Sequence, residues 1–198
     1  MYKNSKSLIR TTALVMFNER GLEAVGVREI SRELGMSPGN ISYYFPSKND
    51  LIIEIYREFV EKTLTFFGEF GRKSDLHPKD LLTLLARVME IQEDFRCLFL
   101  SFNDLTEIAA LEKEVYLNEK RWKKLIGRLM RQWREQGLVY THAGDEESTF
   151  FELIKLILIY RFTDSKIHRR KGSSESSTTA YRRRLASVFR LYFKEKPR

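Results

Sequence analysis

Residues 21–51 read GLEAVGVREISRELGMSPGNISYYFPSKNDL, and the spacing inside this stretch predicts two short helices joined by a tight turn. Val27, Ile30 and Leu34 form one apolar stripe, while Arg28, Glu29, Arg32 and Glu33 occupy the outward side of the same helix. Gly35 stops it, since glycine enters the left-handed conformation without a Cβ clash. Ser37 then offers an N-cap oxygen and Pro38 a preset φ, so a further helix starts almost at once and ends near Phe45-Pro46. Ser47 followed by Asp50 is a capping box opening a long helix whose stripe runs Leu51, Ile55, Tyr56, Phe59, Thr63, Phe66, Phe67 and Phe70. Upstream, Ile9, Ala13, Met16 and Phe17 mark the buried side of a first helix that ends at Gly21. Helix, tight turn and helix, flanked by helices on both sides, is helix-turn-helix grammar.

In such a unit the turn glycine allows a sharp angle, and Ile30, Leu34, Met36 and Ile41 pack the two helices together. The start of the second is left free to enter a major groove end-on, where its first residues meet base edges and flanking groups grip phosphates. The same stretch, with its glycines, serines, Tyr-Phe-Pro-Ser-Lys and Asp-Leu, resembles the N-terminal domain of the TetR family of transcriptional regulators over roughly residues 8 to 55. The resemblance implies that Pro38, Gly39, Asn40 and Tyr43 approach bases or groove walls and that Ser37, Tyr44 and Lys48 contact backbone phosphates. Val27, Arg28 and Ser42 complete the implied DNA-facing set. Asn40 is the candidate base reader, because its amide can both donate to and accept from an adenine edge; its alternative is a surface residue touching phosphate or water. Lys48 lies on the first turn of the long helix, where its charge and the helix N-terminus can act on one phosphate together. Two positions depart from the family pattern. Gly26 stands where a capping hydroxyl is common, and Ser42 where an aromatic hydroxyl is common, so both contacts are weakened or relocated. Tyr43 points about 100° further round the helix than Ser42 and meets a different phosphate or base.

The rest of the chain keeps a period near 3.6, with four prolines and ten glycines in 198 residues, and predicts an all-α protein of about nine helices. The expected organisation is a three-helix helix-turn-helix domain over residues 1–47 and an antiparallel bundle over residues 48–198, the latter binding an effector and dimerising. Pro78 opens one bundle helix. Another runs from about Leu111 to Gln136 and stops at Gly137-Leu138 in a Schellman pattern. It is strongly amphipathic: Val115, Trp122, Leu125, Leu129 and Trp133 share one side, and Lys120, Lys123, Lys124, Arg128 and Arg131 fill much of the rest. Phe150 to Phe162 is apolar on more than one face, which suggests burial against both its own bundle and a second subunit. Ser173 to Thr179 reads as a polar connector, followed by a last helix with Tyr181, Leu185, Val188, Phe189 and Tyr192 inward and Arg182, Arg183, Arg184 and Arg190 outward.

Composition narrows the functional classes. The net charge of +8 is uneven, with +2 over residues 1–50, −3 over 51–160 and +9 over 161–198. The basic end fits nucleic acid, anionic lipid or a solvated helix face equally, so a peripheral helical adaptor working on anionic surfaces is the alternative function. Cys97 is the single cysteine and forms no internal disulfide, which fits a reducing compartment, and no stretch is long and apolar enough to span a bilayer. The expected location is the cytoplasm. His77, His142 and His168 are scattered, with no metal-ligand spacing or nucleophile motif, so neither an enzyme nor a cofactor or metal site is expected. The resemblance implies a homodimer through the last two helices that binds a palindromic operator in double-stranded DNA. It further implies a repressor released when a small, largely apolar ligand enters the bundle. Candidate lining for that ligand is Phe95, Phe99, Phe102, Asn103, Trp122 and Trp133, although aromatics at helical spacing equally suit plain core.

Overall fold

A computed structural model describes residues 2–71, 75–140, 146–169 and 177–194. Among them the chain forms ten helical segments: α1 (Tyr2–Arg20), α2 (Val27–Leu34), α3 (Pro38–Tyr44), α4 (Lys48–Gly71), α5 (Pro78–Asp94), α6 (Arg96–Leu100), α7 (Phe102–Thr106), α8 (Ala109–Glu135), α9 (Glu146–Arg169) and α10 (Ser177–Tyr192). This agrees with the expectation of about nine, two of the ten being the short α6 and α7 on either side of Ser101. Ser177 to Thr179, expected in the polar connector, are the first turn of α10, and the connector's earlier residues lie outside the described ones. No described helix is long and apolar enough to cross a membrane.

Packing divides the chain into two compact units: residues 1–63 with 91–115, and residues 64–90 with 116–198. This packing division passes within α4, α5 and α8, because the segment from Ile91 to Val115 packs with the first four helices.

In the first unit Ile9, Ala13, Met16 and Phe17 are buried, as their spacing requires, together with Val25, Ile30, Ile41, Phe45, Leu51 and Ile55. Two ion pairs hold α1 to α4, Lys6 to Glu54 at 2.9 Å and Arg10 to Glu58 at 2.7 Å. The end of α1 is fastened by Asn18. Its side-chain amide donates to the Asp94 carbonyl at 2.7 Å, its Oδ1 accepts from the Cys97 N–H at 3.0 Å, and its own carbonyl accepts from Arg96 Nε at 3.1 Å. Phe59 of α4 meets Phe95 and Phe99 at ring-centroid distances of 5.8 and 5.2 Å. Burial pushes the adjacent Cys97 thiol up to about 12, so it behaves as a small hydrophobe.

The second unit is built around Leu81, Leu85, Met89, Ile126, Met130, Trp133, Phe150, Ile154 and Leu185. Its α8 ends as its sequence predicts: Gly137 takes a φ of +71°, the Leu138 N–H donates to the Trp133 carbonyl at 2.8 Å, and the Gly137 N–H to Arg134 at 3.0 Å. The chain then pairs with the end of α10, Tyr140 N–H to the Tyr192 carbonyl at 2.9 Å and Lys194 N–H to the Leu138 carbonyl at 2.8 Å, an extended contact that helical periodicity does not anticipate. Arg161, which interrupts the apolar run of α9, is wholly buried; its Nη2 donates to the Met89 carbonyl at 2.8 Å and its guanidinium lies 4.1 Å from the Phe162 ring centre.

Candidate nucleic-acid interface

The candidate interface begins with an N-cap that lacks a side chain. Gly26 has φ −114° and ψ −178°, an extended backbone, and Glu29 Oε2 accepts its N–H at 3.0 Å. This is the reciprocal half of a capping box, the hydroxyl half being absent, as the departure at Gly26 leads one to expect. Hydrogen bonds from its own N–H and from that of Gly26 hold the Glu29 carboxyl below its ordinary range. Val27 is half-buried and Arg28 is exposed on the first turn of α2. Ser31, buried, donates to the Arg28 carbonyl at 2.9 Å.

Gly35 makes the turn. Its φ of +63° and ψ of 27° are left-handed, and the Met36 N–H reaches back to the Ser31 carbonyl at 2.9 Å, closing the end of α2. Ser37 Oγ then accepts from the Asn40 N–H at 3.2 Å, with Pro38 at the first helical position. Ile41, wholly buried, anchors α3 against its neighbours. One side chain of this seven-residue helix thus secures it, and Ser37, Pro38, Gly39, Asn40, Ser42 and Tyr43 all face solvent. Tyr43 is 75% exposed, an unusual position for a large ring, and meets the half-buried Tyr44 edge-on at 5.1 Å. These are six of the ten residues singled out from the sequence, brought onto one short convex element.

Lys48, expected to contact a phosphate, also has a partner within the chain. At the start of α4, where Ser47 and Asp50 form the full capping box with bonds of 3.2 and 2.9 Å, its Nζ donates to the Leu22 carbonyl and lies 5.9 Å from the Phe17 ring centre. One of its three ammonium protons is engaged with the chain itself, leaving two for an outside acceptor. Sequence spacing carries no sign of this contact, whose partners stand 26 residues apart. Asn18 was missed for the same reason: its partners are backbone groups 76 and 79 residues further along.

The residues singled out for ligand binding are shared between the two units, Phe95, Phe99, Phe102 and Asn103 in the first and Trp122 and Trp133 in the second. Phe95 and Phe99 pack on Phe59, Phe102 is half-buried, and Asn103 is exposed with its carbonyl accepting from Thr106 Oγ1 at 2.7 Å. Trp122 stacks edge-on with Phe67 at 4.0 Å; Trp133 is wholly buried, its Nε1 donating to the Leu76 carbonyl and its ring edge-on to Phe193 at 5.3 Å. Two open clefts, one lined by Leu82, Ala86, Arg87, Glu90 and Arg182 and the other by cations of α8, include none of these six. Among the described residues no group of three or more His, Cys, Asp or Glu side chains is placed to hold a metal ion.

Known proteins place this geometry. Residues 9–55 match the family model described as bacterial regulatory proteins, tetR family. The chain is 32% identical over 97 residues to the uncharacterized HTH-type transcriptional regulator YuxN of Bacillus subtilis (strain 168), a match covering 47% of this chain and only 33% of that relative's length. It is 27% identical over 154 residues to the HTH-type transcriptional repressor KstR2 of Rhodococcus jostii (strain RHA1), covering 76% of this chain and 70% of that protein. In fold it resembles the crystal structure of a TetR-family transcriptional regulator from Marinobacter aquaeolei VT8, with a TM-score of 0.79, 18% identity and coverage of 96% and 91% of the two chains. All three are described as transcriptional regulators. Residues 9–55 thus carry the helix-turn-helix domain described for bacterial regulatory proteins of the tetR family, and the chain as a whole is similar in fold to regulators of that family.

Proposed function

We propose that this protein is a cytoplasmic, homodimeric repressor that binds a palindromic operator in double-stranded DNA through α3 and is released by a small, largely apolar effector. The observation that carries the reading is the exposure of Ser37, Pro38, Gly39, Asn40, Ser42 and Tyr43 on a helix pinned from behind by Ile41. A short helix held by one buried side chain and presenting small polar groups at its N-terminal end fits a major groove about 12 Å wide. Residues 1–47 serve as the DNA-binding domain and residues 48–198 as the effector-binding and dimerising part. Arg28, Ser37, Tyr44 and the two remaining protons of Lys48 grip phosphates; Asn40 reads a base edge, with Val27, Pro38, Gly39, Ser42 and Tyr43 against the groove wall. Two copies of α3 meet successive major grooves when they are spaced by about 34–36 Å, so an effector that alters the spacing lowers affinity for both half-sites together. Phe95, Phe99, Phe102, Asn103, Trp122 and Trp133 belong to the effector region in this proposal, reached by rearrangement of their packed rings.

The direct test is a footprint of the full-length protein on the DNA flanking its own gene, repeated after adding a cell metabolite extract. A two-fold symmetric protected site that is lost with the extract is the expected result. Binding that shows no sequence preference at any salt concentration, alongside association with anionic vesicles, would favour the surface adaptor instead.

A further inference from the structure

The basic face of α8 is not used by any of the foregoing. Between Tyr116 and Glu135 the chain carries seven Lys and Arg against two carboxylates, and those cations are exposed or half-exposed around a buried stripe of Ile126, Leu129, Met130 and Trp133. Where α8 meets the first turn of α9 these cations line a cleft of about 390 Å³, within the size range of small-molecule sites. Lys120, Lys123, Lys124 and Arg131 face it with Glu147 as the one carboxylate of its lining among the described residues, and Ser148 adds a hydroxyl.

Two of the four cations are oriented by bonds across the cleft. Lys123 Nζ donates to Ser148 Oγ at 3.1 Å, and Arg131 Nη1 pairs with Glu147 at 2.9 Å. Lys120 lies 5.2 Å from the Tyr116 ring centre, and neither it nor Lys124 makes an ion pair among the described residues. The floor is Gly127, a residue unfavourable in mid-helix; a Cβ there would rest 3.4 Å from Glu147 Oε2 and 3.5 Å from Arg131 Nη1, occupying space the glycine leaves open. Four cations held close together repel one another, and a compact multivalent anion relieves that repulsion while accepting from their N–H groups. The concavity, the convergence of two helices and the bare floor suit a small ligand better than a flat lipid surface or a duplex.

We propose that this cleft is a binding site for a small molecule bearing a diphosphate group, distinct from the DNA-binding helix and independent of its reading. Pyrophosphate is the probe, titrated calorimetrically into the full-length protein at about 50 mM salt, where surface charges are only partly screened. The wild type should bind one pyrophosphate per chain, and the double variant Lys120→Glu/Lys124→Glu should bind at least tenfold more weakly. The variant's melting temperature without ligand should be unchanged, since neither side chain is buried. No binding of millimolar pyrophosphate, or equal affinity in the variant, overturns the proposal. So does a variant that loses binding only to anionic phospholipid vesicles or to random-sequence duplex, which would make the face a macromolecular surface.

Discussion

At the scale of single residues, the proposed roles of Asn40 and Lys48 are two different kinds of contact, and each can be tested. Asn40 is exposed and its backbone N–H already caps against Ser37, so its side chain adds little to the fold. Asn40→Ala should leave stability nearly unchanged and cost about 1–3 kcal/mol at one operator base pair, measured by comparing affinity for operators altered at each position. Equal loss at every sequence would assign Asn40 to phosphate. Lys48→Ala should weaken binding to all duplexes and reduce the salt slope by about one unit, and it should also lower the melting temperature because the Leu22 carbonyl loses its donor. Cys97 gives a separate pH prediction. Unfolded, the thiol ionises near 9.0; folded, it keeps its proton to about 12. Between these values the unfolded chain binds fewer protons than the folded one, so this thiol's contribution is complete below pH 9 and is lost as pH rises, with a slope approaching about 1.4 kcal/mol per unit. Urea midpoints at pH 8 and pH 10 should therefore fall more for the wild type than for Cys97→Ala; parallel falls would place the effect elsewhere.

At the scale of elements, the recognition unit was legible because its signals are local. Gly21, Gly35, Ser37, Pro38 and the Ser47–Asp50 pair each act within four residues, and each makes the turn or cap its chemistry demands. Gly35→Ala tests the turn. An added Cβ meets nothing within 4 Å, so the cost is purely that of a left-handed backbone, about 1–2 kcal/mol. The urea midpoint should fall accordingly, with DNA affinity falling further as α3 shifts on α2; an unchanged midpoint would mean that the turn relaxes to another conformation. What was not legible depends on contacts between distant segments. The break at Ser101, the burial of Arg161 on a backbone carbonyl, and the Tyr140–Tyr192 pairing are tertiary outcomes that no window of 18 residues contains. The neighbours of the aromatic rings singled out for a ligand follow the same pattern: Phe59, Phe67, Leu76 and Phe193, which pack on them, are far from them in sequence.

At the scale of the whole molecule, dimerisation through the last two helices must be tested without destroying the subunit. Deleting the chain from Tyr181 onward would remove Tyr181, Leu185, Phe189 and Phe193, all buried in the second unit, so loss of a dimer in that truncation would carry no information about an interface. Exposed side chains offer a cleaner test. On α9, Phe150, Phe151, Ile154, Leu158 and Phe162 face the core, whereas Leu156 and Tyr160, four residues apart and hence on one face, are 59% and 55% exposed. On α10, Leu191 is 68% exposed. Single exposed apolar residues are ordinary, but a Leu and a Tyr stacked on a helix that already buries its opposite side fit a surface covered by a second copy. Leu156→Glu/Tyr160→Glu should thus sediment as a monomer while retaining wild-type helicity. The monomer binds one half-site at a time, so its affinity for the full operator should drop by the about 10²–10⁴-fold that linked half-sites confer, with affinity for an isolated half-site kept. A variant that remains dimeric places the interface on another face; a monomer with full operator affinity would remove the two-subunit docking on which the proposed release mechanism depends.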